Sequence, residues 1–231
     1  MRWNRKHLVF GMCVAFVLFS FSAFAGVASA KTIYVPDSYA KIQWAVDNAS
    51  AGDTIIVRDG TYTENINVNK PHLTIRSENG ADKTVVQAEN TYDNAFKITA
   101  NYVNISGFTV KGTKAVYPDY FAGIYLASSA DHCYISHNNV SNNRYGIFLK
   151  SSTNVITDNK ILDNDIGIYL YSSSNNNIIK NTVNSNGEGI LVGASHYNSI
   201  FENIITDCGI GIKFAIFMVY LTLIIMVSLT I

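Results

Sequence analysis

The 231 residues predict an all-β solenoid in which each sequence repeat makes one turn. Two observations carry that expectation: a Gly-Ile phrase that returns about every 22 residues, and an asparagine phrase with strand-like alternation between its copies. The first phrase begins at Gly123, Gly146, Gly167, Gly189 and Gly211, at intervals of 23, 21, 22 and 22 residues. Self-similarity at such a period marks a stacked architecture with one structural unit per repeat. The second phrase, Asn-x-Ile-x-x-Asn-x-Ile-x-x-Asn, reads Asn154, Ile156, Asn159, Ile161, Asn164 and then Asn176, Ile178, Asn181, Val183, Asn186. The preceding copy is Cys133, Ile135, Asn138, Val140, Asn143, and the following one is Asn198, Ile200, Asn203, Ile205, Cys208.

Apolar and polar residues alternate over very short runs, which is strand periodicity, and no run within the repeats is long enough for a helix. Each turn is therefore expected to be about three short strands joined by tight corners. Asparagine suits the corners because it tolerates left-handed backbone and its side chain bonds the nearby main chain. Stacked one per turn, its amides can also bond each other up the stack. Glycine at the head of the phrase is expected to supply a backbone angle that a β-carbon forbids. The inward columns Ile124/Ile147/Ile168/Ile190/Ile212 and Ile135/Ile156/Ile178/Ile200 make a continuous core that no single turn could bury alone.

On these residues the chain resembles the right-handed parallel β-helix proteins of the pectin-lyase-like group, and more narrowly the NosD-type repeat proteins. Ile42-Gln43-x-Ala45-Val46, Gly52-Asp53-Thr54-Ile55-Ile56-Val57 and Asp59-Gly60-Thr61-Tyr62-x-Glu64 look like the opening of such a helix. Leu73-Thr74-Ile75-Arg76 and Asn104-Ile105-Ser106-Gly107-Phe108-Thr109-Val110 resemble its early turns, so the likeness covers residues 32 to 213. It implies a right-handed parallel β-helix over residues 53–213. It does not imply one activity, because this architecture hosts lyases, hydrolases, epimerases and binding modules.

Residues 31–52 read as an N-terminal cap. Ile42, Ala45, Val46 and Ala49 fall at helical spacing after Asp37-Ser38, a possible N-cap. Such a helix closes the solenoid core and keeps bare strand edges from other chains. Residues 1–30 read as a secretory signal: Arg2, Arg5 and Lys6, an apolar run from Leu8 to Phe24, then Ala28-Ser29-Ala30 as a cleavage site. An uncleaved anchor is the other reading of that segment. Removing it leaves 14 basic against 17 acidic residues, a net charge of −3, with no basic patch for nucleic acid. Residues 214–231 carry no charge, and as a helical tail they would span about 27 Å, enough to cross a bilayer. Either this tail anchors the protein in a membrane or the gene is interrupted, since the run breaks a turn at Phe214 and no basic residue follows it. Cys133 and Cys208 lie in different columns three turns apart, roughly 14 Å along the axis, too far for a disulfide.

The outward column of the Gly-Ile strands reads Lys97, Tyr125, Phe148, Tyr169, Leu191, Lys213, with Tyr171 two residues beyond Tyr169. The segment from Ala115 to Ala122 interrupts the spacing and adds Tyr117, Asp119, Tyr120 and Phe121. Rings at one strand spacing form a flat apolar strip edged by hydroxyls and Lys150, on which sugar rings can lie. Aromatics also pair well on any sheet face. The candidate ligand residues are thus Tyr117, Asp119, Tyr120, Phe121, Tyr125, Phe148, Lys150, Tyr169 and Tyr171.

The NosD-type resemblance implies copper. Beyond the signal, the histidines are His72, His132, His137 and His196, with no Cys-x-x-Cys, no histidine cluster and no methionine run. Copper needs soft or paired ligands, so no metal or other cofactor is expected. Polysaccharide cleavage would need converging carboxylates, as a hydrolase does, or a base with calcium-binding acids. Asp158, Asp163, Asp165, Glu188, Glu202 and Asp207 are available, but Asp158 and Glu202 alternate with His137 and Lys180 in one outward column, which reads as a solvated charge ladder. Three glycosylation sequons, at Asn48, Asn104 and Asn139, are no more than an asparagine-rich chain carries by chance. Three functions stay open: an exported carbohydrate-binding or adhesive module, a polysaccharide lyase, hydrolase or epimerase, and a structural piece of a longer copper-associated repeat protein.

Overall fold

The computed structural model describes residues 29–114 and 119–215. Every strand pair is parallel, and the strands stack into three sheets of eight, seven and seven, each strand bonded to its counterparts one turn away. The result is a right-handed-type parallel β-solenoid of about eight turns of about 22 residues. The first sheet runs from β1 (Thr32–Val35) to Ser199–Phe201, the second from Gly60–Thr63 to Ile204–Thr206, and the third from Ile66–Val68 to Ile210–Ala215. Among the described residues strand pairing begins at Thr32, within the segment read as the N-terminal cap, because β1 pairs in register with β2 (Thr54–Val57).

The inward isoleucine columns are in the expected register. Ile124, Ile147, Ile168 and Ile190 are fully buried, as are Ile135, Ile156 and Ile178. Each contributes about 1.5–3 kcal/mol by leaving water. Ile200, Ile205 and Ile212 of the last turn are only partly covered.

Asparagine stacks at all three corners. Asn138, Asn159, Asn181 and Asn203 form one ladder, Asn143, Asn164 and Asn186 a second that ends on Cys208, and Asn154, Asn176 and Asn198 a third that starts from Cys133. The ladder residues do not themselves take left-handed backbone. The residue before each one does: His137, Asp158, Lys180 and Glu202 have φ between 55° and 56°. The glycines also work differently from the expectation. Gly146, Gly167 and Gly189 are not left-handed; a β-carbon on them would lie 2.5, 2.6 and 2.5 Å from the carbonyl oxygen of the glycine one turn on. Glycine is there for space.

Helix α1 (Ile42–Asn48) closes the first end, burying Ile42, Ala45 and Val46. Its N-terminus is not capped by Asp37 or Ser38. The Glu64 carboxylate of the next turn accepts from the Ile42 and Gln43 N–H groups at 3.0 Å each, placing negative charge at the positive end of the helix. At the other end, Phe214 and Ala215 belong to a strand rather than to a helical tail. The apolar run beyond them, and the signal segment through residue 28, lie outside the described residues. Among the described residues no helix is long and apolar enough to cross a membrane. Cys133 and Cys208 are free thiols.

Two stability outcomes follow. Asn181 is fully buried and its carboxamide donates to the Ile156, Ile179 and Asn203 oxygens at 2.8–3.0 Å, whereas Asn177 is exposed. Asn181→Leu should lower stability by at least about 1–3 kcal/mol for the buried partners it leaves unsatisfied, and Asn177→Leu by much less. Equal urea midpoints would contradict the ladder. Gly146→Ala should cost about 1–3 kcal/mol through overpacking. Gly211→Ala, whose β-carbon would meet nothing nearer than 3.8 Å, should leave the melting temperature nearly unchanged.

Candidate functional site

The third sheet carries the candidate surface because its strands lengthen along the chain, from three residues at Ile66–Val68 to six at Ile166–Tyr171. A longer strand presents more outward positions. The register places Lys97, Tyr125, Phe148, Tyr169, Leu191 and Lys213 in one column, as the spacing indicated. Phe148 and Tyr169 stack at 4.9 Å with planes 12° apart, and Tyr125 lies 5.5 Å from Phe148.

The column is not, however, an open strip. Phe148 is fully buried and Tyr169 is 9% exposed; with Ala122, Tyr145 and Leu191 they form a second, small apolar core on the outside of the sheet. The reason is the segment that interrupts the repeat spacing. Tyr120 folds back over the sheet, 5.5 Å from Phe148 and 5.9 Å from Tyr145. Tyr120, Tyr125 and Tyr171 are half-buried and pack on this core as its accessible rim; Phe121 is half-buried but is not among the residues packed on it, and Asp119 is exposed. Tyr117 lies outside the described residues. The Lys150 ammonium sits 5.5, 5.8 and 5.7 Å from the Tyr120, Phe148 and Tyr171 rings, within range of the attraction between a cation and ring faces.

Burial, followed by the neighbouring Tyr120, Tyr145, Tyr171 and Glu188, pushes the Tyr169 hydroxyl up to about 12, and burial raises Tyr125 as well. Both stay neutral at physiological pH and present hydroxyl groups that can donate hydrogen bonds.

Two features escaped the sequence. The first is a surface cleft of about 340 Å³ lined by Thr113, Lys114, Asn142, Asn143, Arg144, Asp163 and Asp165. It lies where the irregular segment leaves the repeat, and Asp163 and Asp165 flanking a corner asparagine were its only signal. The second is a stack of exposed rings at one left-handed corner. His72 and His132 lie on the two faces of Tyr102, at 4.6 and 4.8 Å and within 8° of parallel.

The acids are spread out, and most are engaged. Asp165 bonds Arg144 at 2.7 Å, Glu188 pairs with Lys213, Glu202 lies 3.9 Å from Lys180, and Asp158 accepts from the Thr157 hydroxyl. Among the described residues no three His, Cys, Asp or Glu side chains gather as a metal would need.

A match to a protein-family model described as "Periplasmic copper-binding protein (NosD)" spans residues 46–217. The chain belongs to the NosD family. It is also 36% identical over 128 residues to a protein named cell surface glycoprotein from Methanothermus fervidus, a match covering 54% of this chain and 20% of that protein. This chain thus aligns with about a fifth of that relative's length.

Three solved structures share the fold. An alginate lyase from Paenibacillus superposes with a TM-score of 0.53 at 19% identity, covering 77% of this chain and 74% of its own. Pectate lyase Pel9A gives 0.58 at 16% identity, covering 77% and 55%. The periplasmic alginate epimerase AlgG gives 0.52 at 22% identity, covering 74% and 39%. At these identities the likeness is one of fold.

The family description names copper, and among the described residues the donors do not gather to fit it. The Tyr102 ring separates the His72 and His132 imidazoles. Cys133 is buried, and burial lifts its thiol to about 11, so it is not the thiolate that binds soft metals. Its sulfur instead lies 3.5 Å from the Ala100 carbonyl oxygen.

The Tyr169 environment has a measurable consequence. Its folded-state pKa lies above the ordinary tyrosine value of 10. The stability this provides is complete below pH 10 and is lost as pH rises towards 12, where the unfolded chain ionises first. Tyr169→Phe should flatten that part of the stability profile and remove the late-titrating phenolate from the ultraviolet difference spectrum. A Tyr169 phenolate forming near pH 10 would contradict the burial.

Proposed function

We propose that this chain is an exported β-helix module that binds polysaccharide weakly along the outward face of its third sheet, without cleaving it. The carrying observation is the half-exposed rim of Tyr120, Tyr125 and Tyr171 around the buried pair Phe148 and Tyr169, with Lys150 held among the rings. Sugar rings present apolar C–H faces that pack on aromatic rings, and their hydroxyls accept from ammonium and phenol groups. Phe148 and Tyr169 serve as the floor; the rim residues, with Phe121, Asp119 and Lys150, make the contact.

Several facts support this reading. The family's description is periplasmic and the relative is named a cell surface glycoprotein, which fits a location outside the cytoplasm. Structural neighbours of the same fold are named for pectate and alginate chemistry. Binding is favoured over cleavage because the acids near this face do not converge: Asp165 pairs with Arg144, and one oxygen of Glu188 pairs with Lys213. The proposal concerns this module and not a longer protein built like the relative.

The test is retention on immobilised acidic and neutral polysaccharides. Tyr125→Ala with Tyr171→Ala removes two rim rings and leaves the buried floor. At about 0.5–1.5 kcal/mol per aromatic contact, affinity should fall on the order of tenfold or more, enough to abolish retention of a weak binder. The reading fails if the wild-type chain binds no polysaccharide or if the double variant binds equally well. Release of unsaturated or reducing sugars would establish an enzyme instead.

A further inference from the structure

We infer that Asn48 is a site of N-linked glycosylation, and that the other two sequons are closed to it in the folded protein. The inference rests on the export proposed above. Asn48-Ala49-Ser50, Asn104-Ile105-Ser106 and Asn139-Val140-Ser141 are identical in motif, so sequence cannot rank them. The fold does.

Asn104 begins a strand inside the eight-stranded sheet, hydrogen-bonded to a strand on each side and paired residue for residue with Thr74 and Tyr134. Its carboxamide donates to the Thr74 hydroxyl at 3.2 Å. Asn139 likewise sits between Thr109 and Lys160 in the second sheet. Its carboxamide oxygen is buried, and Ser141, which completes its sequon, is buried as well. An acceptor asparagine must present its amide nitrogen, with the Ser or Thr two residues on, to a transferase. For either of these positions that means drawing a strand out of the middle of a sheet.

Asn48 is the last residue of α1, and both it and Ser50 are exposed. Ala49 between them is already extended, at φ −74° and ψ 156°. The carboxamide nitrogen makes one bond, to the Trp44 carbonyl one helical turn back at 2.8 Å. Opening the final turn of a seven-residue helix frees it, a local fluctuation of the kind that terminal elements undergo without global unfolding.

The donor is a polyprenyl-phosphate-linked saccharide. The Asn48 Nδ2 forms a bond to the anomeric carbon as the bond from that carbon to the phosphate oxygen breaks. The lipid phosphate leaves with the electron pair, and Nδ2 gives up one proton to a base on the transferase. A saccharide there would stand at the capped end of the solenoid, where β1 is the terminal strand of its sheet among the described residues, and would hinder strand addition by another chain.

The experiment is intact-mass measurement and glycopeptide mapping of the full protein recovered from its own cells, alongside Asn48→Gln and Ser50→Ala. The wild-type chain should carry a saccharide increment that maps to Asn48, and both variants should lose it. Ser50→Ala keeps the Asn48 side chain and its bond to Trp44, so a folding defect in one variant does not hide the result. An increment that persists in both variants, or that maps to Asn104 or Asn139, overturns the inference. Labelling intact cells with a membrane-impermeant amine reagent separates the two claims. Labelled but unglycosylated protein refutes the Asn48 site and leaves the exported location standing. Unlabelled, unglycosylated protein refutes both.

Discussion

The asparagine ladder is the interaction on which the rest of this structure depends. At a corner the chain turns out of one sheet before entering the next, and its amides cannot all continue the sheet pairing. Asn159 shows how the gap is closed. Its carboxamide oxygen accepts from both the N–H and the side-chain nitrogen of Asn138, one turn before. Its own nitrogen donates to the Ile135 carbonyl of that turn, to the Thr157 carbonyl of its own turn, and to the Asn181 oxygen of the next. One side chain thereby ties three turns together. Aspartate has no donor and leucine has neither group, so only a primary amide of this length can do both jobs in a buried setting. Because such chains of bonds are mutually reinforcing and costly to leave incomplete, the ladder sets the axial register. The isoleucine columns fall into line with it.

The ends of the ladders explain where the cysteines sit. Cys133 heads one ladder: its N–H still donates to the Asn154 oxygen at 2.8 Å, while its sulfur rests near backbone carbonyls where a carboxamide would otherwise donate. Cys208 closes another ladder, 3.9 Å from the Asn186 amide nitrogen. A thiol is a weak donor and a weak acceptor, so both cysteines fill a ladder position without extending it strongly. The contrast between the two ends of the described solenoid is energetic as well. α1 and Glu64 seal the first turn. In the last described turn the inward Ile200, Ile205 and Ile212 are only partly buried.

What could be read from sequence was whatever repeats. The strands, their register and the stacking of Asn159, Asn181 and Asn203 follow from a period, because each turn calibrates the next. The reasons for particular residue types were less legible. Left-handed backbone was assigned to the asparagines, yet it belongs to His137, Asp158, Lys180 and Glu202, chemically unlike residues united only by position. The glycines were read as conformational, when a carbonyl oxygen 2.5 Å from a would-be β-carbon is a fact of stacking that a single turn does not contain. The candidate surface was half legible. Its column was correct, but its cover was not, since Tyr120 belongs to a long connection between the second and third sheets that the later turns shorten to three residues. The His72–Tyr102–His132 stack was hidden for a related reason: the two turns that carry it span 30 residues each, outside the 22-residue rhythm.

The geometry of the third sheet also constrains how any polymer could use it. The later turns of the first two sheets are made of three-residue strands, with little room for outward side chains. The third sheet widens to six residues, giving neighbouring outward columns. A chain lying parallel to the strands would meet only those few columns and then run off the edge. A chain lying along the solenoid axis would meet a new ring about every 4.8 Å, first Tyr125, then the covered pair Phe148 and Tyr169 with Tyr171 at their side. Contacts repeated at that spacing are individually weak and tolerant of sliding, and they gain strength by being joined on one ligand. The arrangement therefore suits an extended saccharide held loosely over several turns better than a small sugar held tightly in one pocket. On the binding proposed above, the buried aromatic floor would fix the spacing of the rings and the half-exposed rim would make the contact.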